Sequence, residues 1–141
     1  MDNGGWTSLI LAGWNGRTEI VQLLLNANAN IEAMDHEYGQ TSLIWAARKG
    51  YTEIIKLLLN ANANIEAMDR KYGRTSLIWA SENGYTEIVQ LLLDANANIE
   101  AVDDGGRTSL SWAAENGHTE VVRLLTSYAQ GVKKNIEPVT A

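Results

Sequence analysis

The sequence predicts an all-α solenoid, in which helix–turn–helix units stack in one row and are joined by β-turn fingers. Two observations predict this fold. The stretch LLLNANANIEAMD occurs twice, and a close variant follows, at Leu23–Asp35, Leu57–Asp69 and Leu91–Asp103. The motif Thr-Ser-Leu recurs with spacings of 34, 34 and 33 residues, beginning at Thr7, Thr41, Thr75 and Thr108. A period of this length is typical of stacked units that need their neighbours to bury an apolar face.

The second unit, residues 35–68, shows how the residues predict each element. Thr41 is a suitable N-cap for a short helix, because its hydroxyl can accept a hydrogen bond from a free backbone N–H. Apolar residues then recur at the spacing of one helical face, at Leu43, Ala46 and Ala47. Gly50 is predicted to end this helix in the left-handed conformation.

A second helix is predicted after Gly50. The segment YTEIIKLLLNA gives it a wide apolar face, and Glu53 lies near its start, where the helix dipole favours negative charge. Asn62 tolerates the left-handed conformation that commonly ends a helix. The segment ANIEAMDHEYG is expected to be extended and to turn at Gly39. Asn-Gly pairs at Asn15, Asn83 and Asn116 are interpreted as helix ends, because helical periodicity flanks them.

The period divides residues 1–141 into one repeat domain. Repeats are expected at about residues 1–34, 35–68, 69–102 and 103–132, followed by a mobile tail at residues 133–141. The loops Asp35–Thr41 and Asp69–Thr75 are one residue longer than Asp103–Thr108, so the first two fingers should bulge. The first repeat has no polar cap, which suggests either that further repeats once preceded it or that its edge is covered by something else.

Composition narrows the classes of function. The chain has 17 acidic and 11 basic residues and a net charge of -6, which argues against nucleic-acid or anionic-membrane binding. It has no cysteine, so disulfides and thiolate metal sites are excluded and a cytoplasmic location is favoured. No apolar run approaches a membrane span, and no signal peptide is recognisable. No metal, cofactor or catalytic motif is identified, so the protein is predicted not to be an enzyme.

The repeated unit GQTSLIWAARKGYTEIIKLLLNANANIEAMD resembles the ankyrin repeat. The Ala-Ala pair, the glycine between the helices, the leucine triplet and the Ala-x-Ile-x-Ala exit all follow the family order from about Gly5 to Leu125. The chain differs from the family signature in one motif: it has Thr-Ser-Leu-Ile where the family has Thr-Pro-Leu-His. In the family, that threonine and histidine exchange hydrogen bonds that brace the turn. Isoleucine is expected to replace this bracing by packing, at Ile10, Ile44 and Ile78.

The resemblance implies a protein-binding groove lined by the fingers and first helices. The second and third repeats are identical at 24 of 34 positions. Six of their ten differences fall on the finger and the end of the first helix, namely at positions 36/70, 37/71, 40/74, 47/81, 48/82 and 49/83. This variation favours a diversified binding surface, with neutral drift of polar surface as the alternative. The candidate partner-binding residues are Trp14, Trp45, Arg48, Lys49, Arg70, Lys71, Arg74, Trp79, Glu82 and Trp112.

Two interpretations of the tryptophans stay open. Trp45, Trp79 and Trp112 recur at one position, which favours packing between repeats, although tryptophan is also enriched at binding hot spots. Trp6 and Trp14 occur only in the first repeat, and with Leu9 and Ile10 they are expected to form an apolar patch for self-association or partner contact. The basic residues of the groove favour a protein or peptide partner with acidic character, with a solvated surface of mixed charge as the alternative. The alternatives are a structural or engineered repeat scaffold without a native ligand, or the interaction part of a larger protein.

Overall fold

The computed structural model describes the backbone of residues 5–136 and the side chains of residues 5–131. Within that range the chain forms eight α-helices and no strand, which confirms the predicted all-α fold. The helices are α1 Ser8–Trp14, α2 Thr18–Asn26, α3 Ser42–Lys49, α4 Thr52–Asn60, α5 Ser76–Asn83, α6 Thr86–Asp94, α7 Ser109–Glu115 and α8 Thr119–Ile136. None of these helices is long and apolar enough to cross a membrane.

The helix boundaries follow the predicted caps. Each threonine of the Thr-Ser-Leu motif accepts a hydrogen bond from the backbone N–H three residues later, with O–N distances of 3.2–3.3 Å at Thr7, Thr41, Thr75 and Thr108. Asn28, Asn62 and Asn96 adopt the left-handed conformation after the second helices, with φ of 62°, 64° and 68°. Gly50 and Gly84 do the same after α3 and α5. The asparagine and glycine signals therefore marked true helix ends.

The finger turns differ in length as expected. In the first two fingers a backbone hydrogen bond spans four residues, from Gly39 N–H to Asp35 O at 3.0 Å and from Gly73 N–H to Asp69 O at 3.1 Å. In the third finger the bond spans only three residues, from Gly106 N–H to Asp103 O at 2.9 Å. Neighbouring fingers are linked by a hydrogen bond from Asp104 N–H to Tyr72 O at 3.0 Å.

The helices stack as a row of pairs. Each first helix packs against the first helix of the next repeat, in the order α1, α3, α5 and α7, and the second helices form a parallel row behind them. The core lies between the two rows and is mainly apolar. Ile44, Ile55, Leu58 and Ile78 are fully buried. The isoleucines that replace the family histidine, Ile10, Ile44 and Ile78, are all buried, as the packing expectation requires. In the fourth repeat Ser111 forms a capping box with Thr108 instead.

The last helix extends further than the sequence suggested. Helix α8 continues through Ile136, beyond the boundary expected near residue 133. Thr126 is exposed at the position that carries the buried Leu93 in the preceding repeat, consistent with a polar terminal face. Residues 137–141 of the expected mobile tail lie outside the described residues.

Candidate functional site

Three recurring tryptophans form the floor of the concave surface and fasten each finger to its helix. Trp45 and Trp79 are only 4% and 5% exposed, and Trp112 is half-buried. Their indole N–H groups donate to a carboxylate oxygen of Asp35, Asp69 and Asp103 at 2.9, 2.8 and 2.8 Å. This geometry supports the packing interpretation. Trp45 and Trp79 do not stand out as exposed aromatic anchors.

The carboxylates that receive these bonds also shape the fingers. The second oxygen of Asp35 accepts from the backbone N–H of Tyr38 at 2.6 Å, and Asp69 accepts from Tyr72 N–H at 2.6 Å. Asp103 accepts from the backbone N–H of Gly105 and of Arg107. These aspartates were not identified from the sequence. One sequence pattern could have identified them. An aspartate stands ten residues before Trp45 and Trp79, and nine residues before Trp112, which follows the shorter finger.

The environment of Asp103 affects its titration. Burial alone would raise its pKa, but hydrogen bonds from Arg107 N–H, Trp112 and Gly105 N–H, with the nearby charge of Arg74, outweigh this effect. The pKa of Asp103 is therefore held below its ordinary value. The carboxylate stays charged inside the finger, where it can bind three donors at once.

Guanidinium groups fill the gaps between successive tryptophan rings. Arg48 lies 5.2 Å from the ring centroid of Trp45 and 4.4 Å from that of Trp79. Arg74 lies 4.5 Å from Trp79 and 4.4 Å from Trp112. Such distances are within the range of cation–π attraction. The floor is thus an alternating row of indoles and guanidinium groups, continued by Arg107 at 4.2 Å from Trp112.

These guanidinium groups differ in charge compensation. Arg74 pairs with Glu82 at 2.5 Å and with Asp103 at 3.6 Å, and only 12% of its side chain is exposed. Arg107 pairs with Glu115. Arg48 has no carboxylate within ion-pair distance among the described side chains, and its Nη1 atom is buried without a hydrogen-bond partner. Arg74 and Glu82, both predicted to contact a partner, neutralise each other within the chain.

The remaining predicted cations lie near the surface of the groove. Lys49 and Lys71 are exposed and lie over aromatic rings, with Nζ 4.9 Å from the centroid of Trp14 and 4.7 Å from that of Tyr38. Arg70 is exposed and donates from Nη2 to the backbone oxygen of Asp35 at 3.1 Å. None of these three pairs with a carboxylate among the described side chains. Together with Arg48 they give this part of the groove a net positive character.

An aromatic cluster closes the N-terminal end of the groove. Trp6, Trp14 and Trp45 lie with ring centroids 5.4–6.2 Å apart, and Trp14 is 38% exposed. The expected apolar patch is partly wrong, because Leu9 and Ile10 are buried at 2% and 0% exposure. An open cavity of about 800 Å³, here called the aromatic groove, is lined by Trp6, Leu11, Trp14, Glu37, Tyr38, Trp45, Arg48, Lys49, Trp79 and Asn83.

The comparison with protein families agrees with this architecture. The family model described as ankyrin repeats (3 copies) matches residues 1–69, 34–103 and 66–137. The chain belongs to the ankyrin repeat family. Members of this family are generally protein–protein interaction modules and are typically not enzymes. A search of curated proteins gave no match.

The ankyrin framework clarifies why the repeats differ. Two positions, one on the finger side and one near the end of the first helix, contact each other within the first, third and fourth repeats: Trp6 touches Trp14, Arg74 pairs with Glu82, and Arg107 pairs with Glu115. In the third repeat the residues at 74 and 82 are therefore partners of each other. Position 47/81 is fully buried, so it is not part of an open surface. By contrast, positions 36/70, 37/71 and 49/83 are exposed in both repeats, which leaves them available to a partner.

Proposed function

We propose that this ankyrin repeat chain is a non-enzymatic module that binds a protein partner across its concave surface, at the fingers and first helices of the second and third repeats. The observation that carries this proposal is the aromatic groove, in which Trp14 and Leu11 offer apolar surface beside the uncompensated cations Arg48 and Lys49. Exposed aromatic surface with nearby arginine is typical of binding hot spots. No group of three or more His, Asp or Glu side chains that could hold a metal ion occurs among the described residues.

The partner is expected to be acidic. Arg70 and Lys71 lie on the finger, Lys49 lies at the end of α3, and all three are exposed without a carboxylate partner among the described side chains. The rigid stacking of the repeats would present these groups in a preformed arrangement, so little conformational entropy would be lost on binding. A complementary acidic surface would be attracted from a distance and oriented before contact.

Site-specific photo-crosslinking tests this proposal. A photoreactive amino acid replaces Lys49 or Tyr72 in the groove, and Gln90 or Arg123 on the opposite side as matched exposed controls. Each variant is mixed with lysate of the source cells, and the captured protein is identified, purified and tested for direct binding. Capture of the same protein from both groove positions and from neither control is expected. Specific capture from the control positions would contradict the proposed surface.

Self-association through the N-terminal repeat is a second candidate. Ile20 is 47% exposed and Leu23 is 67% exposed, whereas Ile54 and Ile88, at the position of Ile20, are each 1% exposed. A second copy could cover this apolar surface as the preceding repeat covers it elsewhere. Sedimentation at increasing concentration should then show a dimer that Leu23→Gln weakens. A chain that sediments as a monomer at all concentrations would exclude this candidate.

A further inference from the structure

Three arginines lie against the recurring tryptophan rings, and one of them lacks the ion pair that the other two make among the described side chains. Arg74, between Trp79 and Trp112, pairs with Glu82, and Arg107, beside Trp112, pairs with Glu115. The position equivalent to these two glutamates in the second repeat is Arg48 itself. The cation therefore replaces the carboxylate, and Gln40 stands where Arg74 stands in the next repeat. The result is a guanidinium at the base of the aromatic groove that has no carboxylate partner among the described side chains.

We propose that a glutamate or aspartate side chain of a partner protein supplies this missing carboxylate and pairs with Arg48. An apolar residue next to it in the partner segment lies against Trp14 and Leu11, which are 38% and 36% exposed. This inference rests on the proposed function and specifies the chemistry of the partner at one subsite. The ligand is an acidic protein segment that enters the aromatic groove.

The geometry of Arg48 suits this role. Its guanidinium is held within 5.4 Å of the ring centroids of Tyr38, Trp45 and Trp79, so it is positioned before a ligand arrives. Its Nη1 atom is removed from solvent but makes no hydrogen bond, and a buried donor left unsatisfied carries a free-energy penalty. Arg48 as a whole is only half-buried, so a carboxylate in the aromatic groove can pair with its guanidinium and form a charge-assisted hydrogen bond.

The chain itself indicates a carboxylate as the preferred anion. Glu82 and Glu115 occupy the corresponding layers beside Arg74 and Arg107, so a glutamate side chain fits the spacing between the rings. The planar guanidinium matches a carboxylate in shape. Lys49 and Lys71 flank the subsite, and the acidic lining residue Glu37 is exposed at its rim. The net charge of -6 for the whole chain disfavours a polyanion such as nucleic acid.

Peptide selection tests the inference. A displayed library of random dodecapeptides is selected on the immobilised full chain, and enriched peptides are synthesised with acetylated and amidated ends, which removes the terminal carboxylate. Replacement of the conserved acid in a peptide by its amide should weaken binding about 10-fold to 100-fold, measured by calorimetry. Arg48→Met keeps most of the aliphatic stem and should weaken the acidic peptide by a similar factor, with little effect on the amide peptide.

Matched controls separate this effect from misfolding. Arg123→Met removes an exposed guanidinium that pairs with Glu120 on α8, away from the groove, and should leave peptide affinity unchanged. Urea unfolding and the indole N–H signals of the tryptophans report whether Arg48→Met is folded. Arg48→Lys keeps the charge and should recover part of the affinity.

Each outcome decides the inference. Groove-binding peptides with no preference for an acid, or equal effects of Arg48→Met on acid and amide peptides, would overturn it and leave the proposed function intact. Peptides that crosslink only at the Gln90 side would overturn both. If the library yields no binder, the subsite is tested by nuclear magnetic resonance. The chain is titrated with phenylacetate and with its uncharged analogue phenylacetamide. A phenylacetate response of the indole N–H signals that Arg48→Met abolishes would support the subsite, and equal responses to both compounds would reject it.

Discussion

At the scale of single residues, the finger is organised by one buried carboxylate. Asp35, Asp69 and Asp103 each accept an indole N–H and backbone N–H groups of their own turn. This arrangement links the finger to the first helix in a chain that lacks the family's Thr-His bracing. A charged acceptor with several donors is strongly stabilised, but removal of its charge leaves the donors poorly satisfied. For Asp103, whose pKa is lowered, stability should therefore depend on the ionised state of the carboxyl group.

Asp103→Asn tests this dependence. At about pH 7 the substitution should lower the free energy of unfolding by roughly 1–3 kcal/mol, because a charged acceptor is lost. The native pKa of Asp103 is lowered, so the unfolded chain takes up a proton at higher pH than the folded chain does. The stabilisation is complete above the unfolded pKa of about 3.9 and is lost as pH falls through the lower native pKa.

Urea unfolding of the original chain and of Asp103→Asn across this range provides the measurement. The difference in free energy between the two proteins should shrink as pH decreases below about 4. The other carboxylates are present in both proteins, so their effects on the two curves of unfolding free energy against pH largely cancel in the difference. A difference that is constant with pH would contradict a role for the charge of Asp103.

At the scale of elements, the first helix of the first repeat carries an unusual residue. Gly13 lies within α1 at a position occupied by Ala47, Ser81 and Ala114 in the other repeats. Glycine in a helix interior is destabilising because it loses more backbone freedom on folding than alanine does. A Cβ atom at Gly13 would have its nearest contacts with Ser42 at 3.6 Å, an ordinary van der Waals distance. There is thus room for a methyl group.

Gly13→Ala should therefore stabilise the chain by about 0.5–1 kcal/mol, measured by urea unfolding. Gly84→Ala provides the contrasting case. Gly84 has φ of 74°, and a Cβ there would lie 2.5 Å from the His118 ring. That substitution should destabilise the chain, because both the backbone conformation and the contact are unfavourable. Stabilisation by both changes, or by neither, would contradict this account of the helix.

At the scale of the whole molecule, each repeat packs against its immediate neighbours. Helix contacts join α1 to α3, α3 to α5 and α5 to α7, and the second helices repeat this order. Hydrogen bonds follow the same step, from Asn64 N–H to Glu32 at 2.8 Å and from Asn98 N–H to Glu66 at 3.0 Å. Stability should therefore be a sum of repeat and neighbour contributions, with the centre contributing more than the end.

Two leucine truncations test this modular stability. Leu58 is fully buried in the second repeat, and Leu125 is 3% exposed in the fourth. Leu58→Ala should cost roughly 2–5 kcal/mol, because it leaves a cavity between two interfaces. Leu125→Ala should cost less, because fraying of the last repeat leaves the others stacked. If both variants lost the same free energy of unfolding in chemical denaturation, stability would not be a sum of repeat and neighbour contributions.

The positive charge of the fingers should set the association rate with an acidic partner. Exposed ion pairs contribute only about 0.2–1 kcal/mol each, so no single surface cation is expected to determine the binding free energy. Arg70→Glu with Lys71→Glu reverses two of the uncompensated charges, and should slow association at low salt and remove most of its salt dependence. Association rates with the identified partner at several salt concentrations provide the measurement.

Lys56→Glu is the control, because Lys56 lies on α4 and pairs with Glu53 there. An unchanged rate for the finger variant would exclude electrostatic guidance by this surface.

The amino-acid sequence alone determined the period, the helix pairs and the turn geometry. These features are local: a threonine caps its own helix, Asn62 adopts a left-handed conformation after its own helix, and an extra residue between Asp35 and Thr41 lengthens its own turn. The same repetition carried the family resemblance. It also placed Arg48, Lys49, Arg70 and Lys71 along the fingers and first helices, where the structure has them.

Only the tertiary structure decided which of these side chains remain accessible for contact with a partner protein. The sequence does not distinguish the exposure of Arg48 from that of Arg74, but Arg74 meets Glu82 and Asp103, whereas Arg48 lies between two indoles and pairs with no carboxylate of the described side chains. Trp45 and Trp79 likewise became buried hydrogen-bond donors to the finger aspartates. The physical reason is that charge compensation and burial depend on side chains brought together across a finger and across neighbouring repeats. Distances of a few ångströms between such groups determine their energies, and the repeat period does not specify those distances.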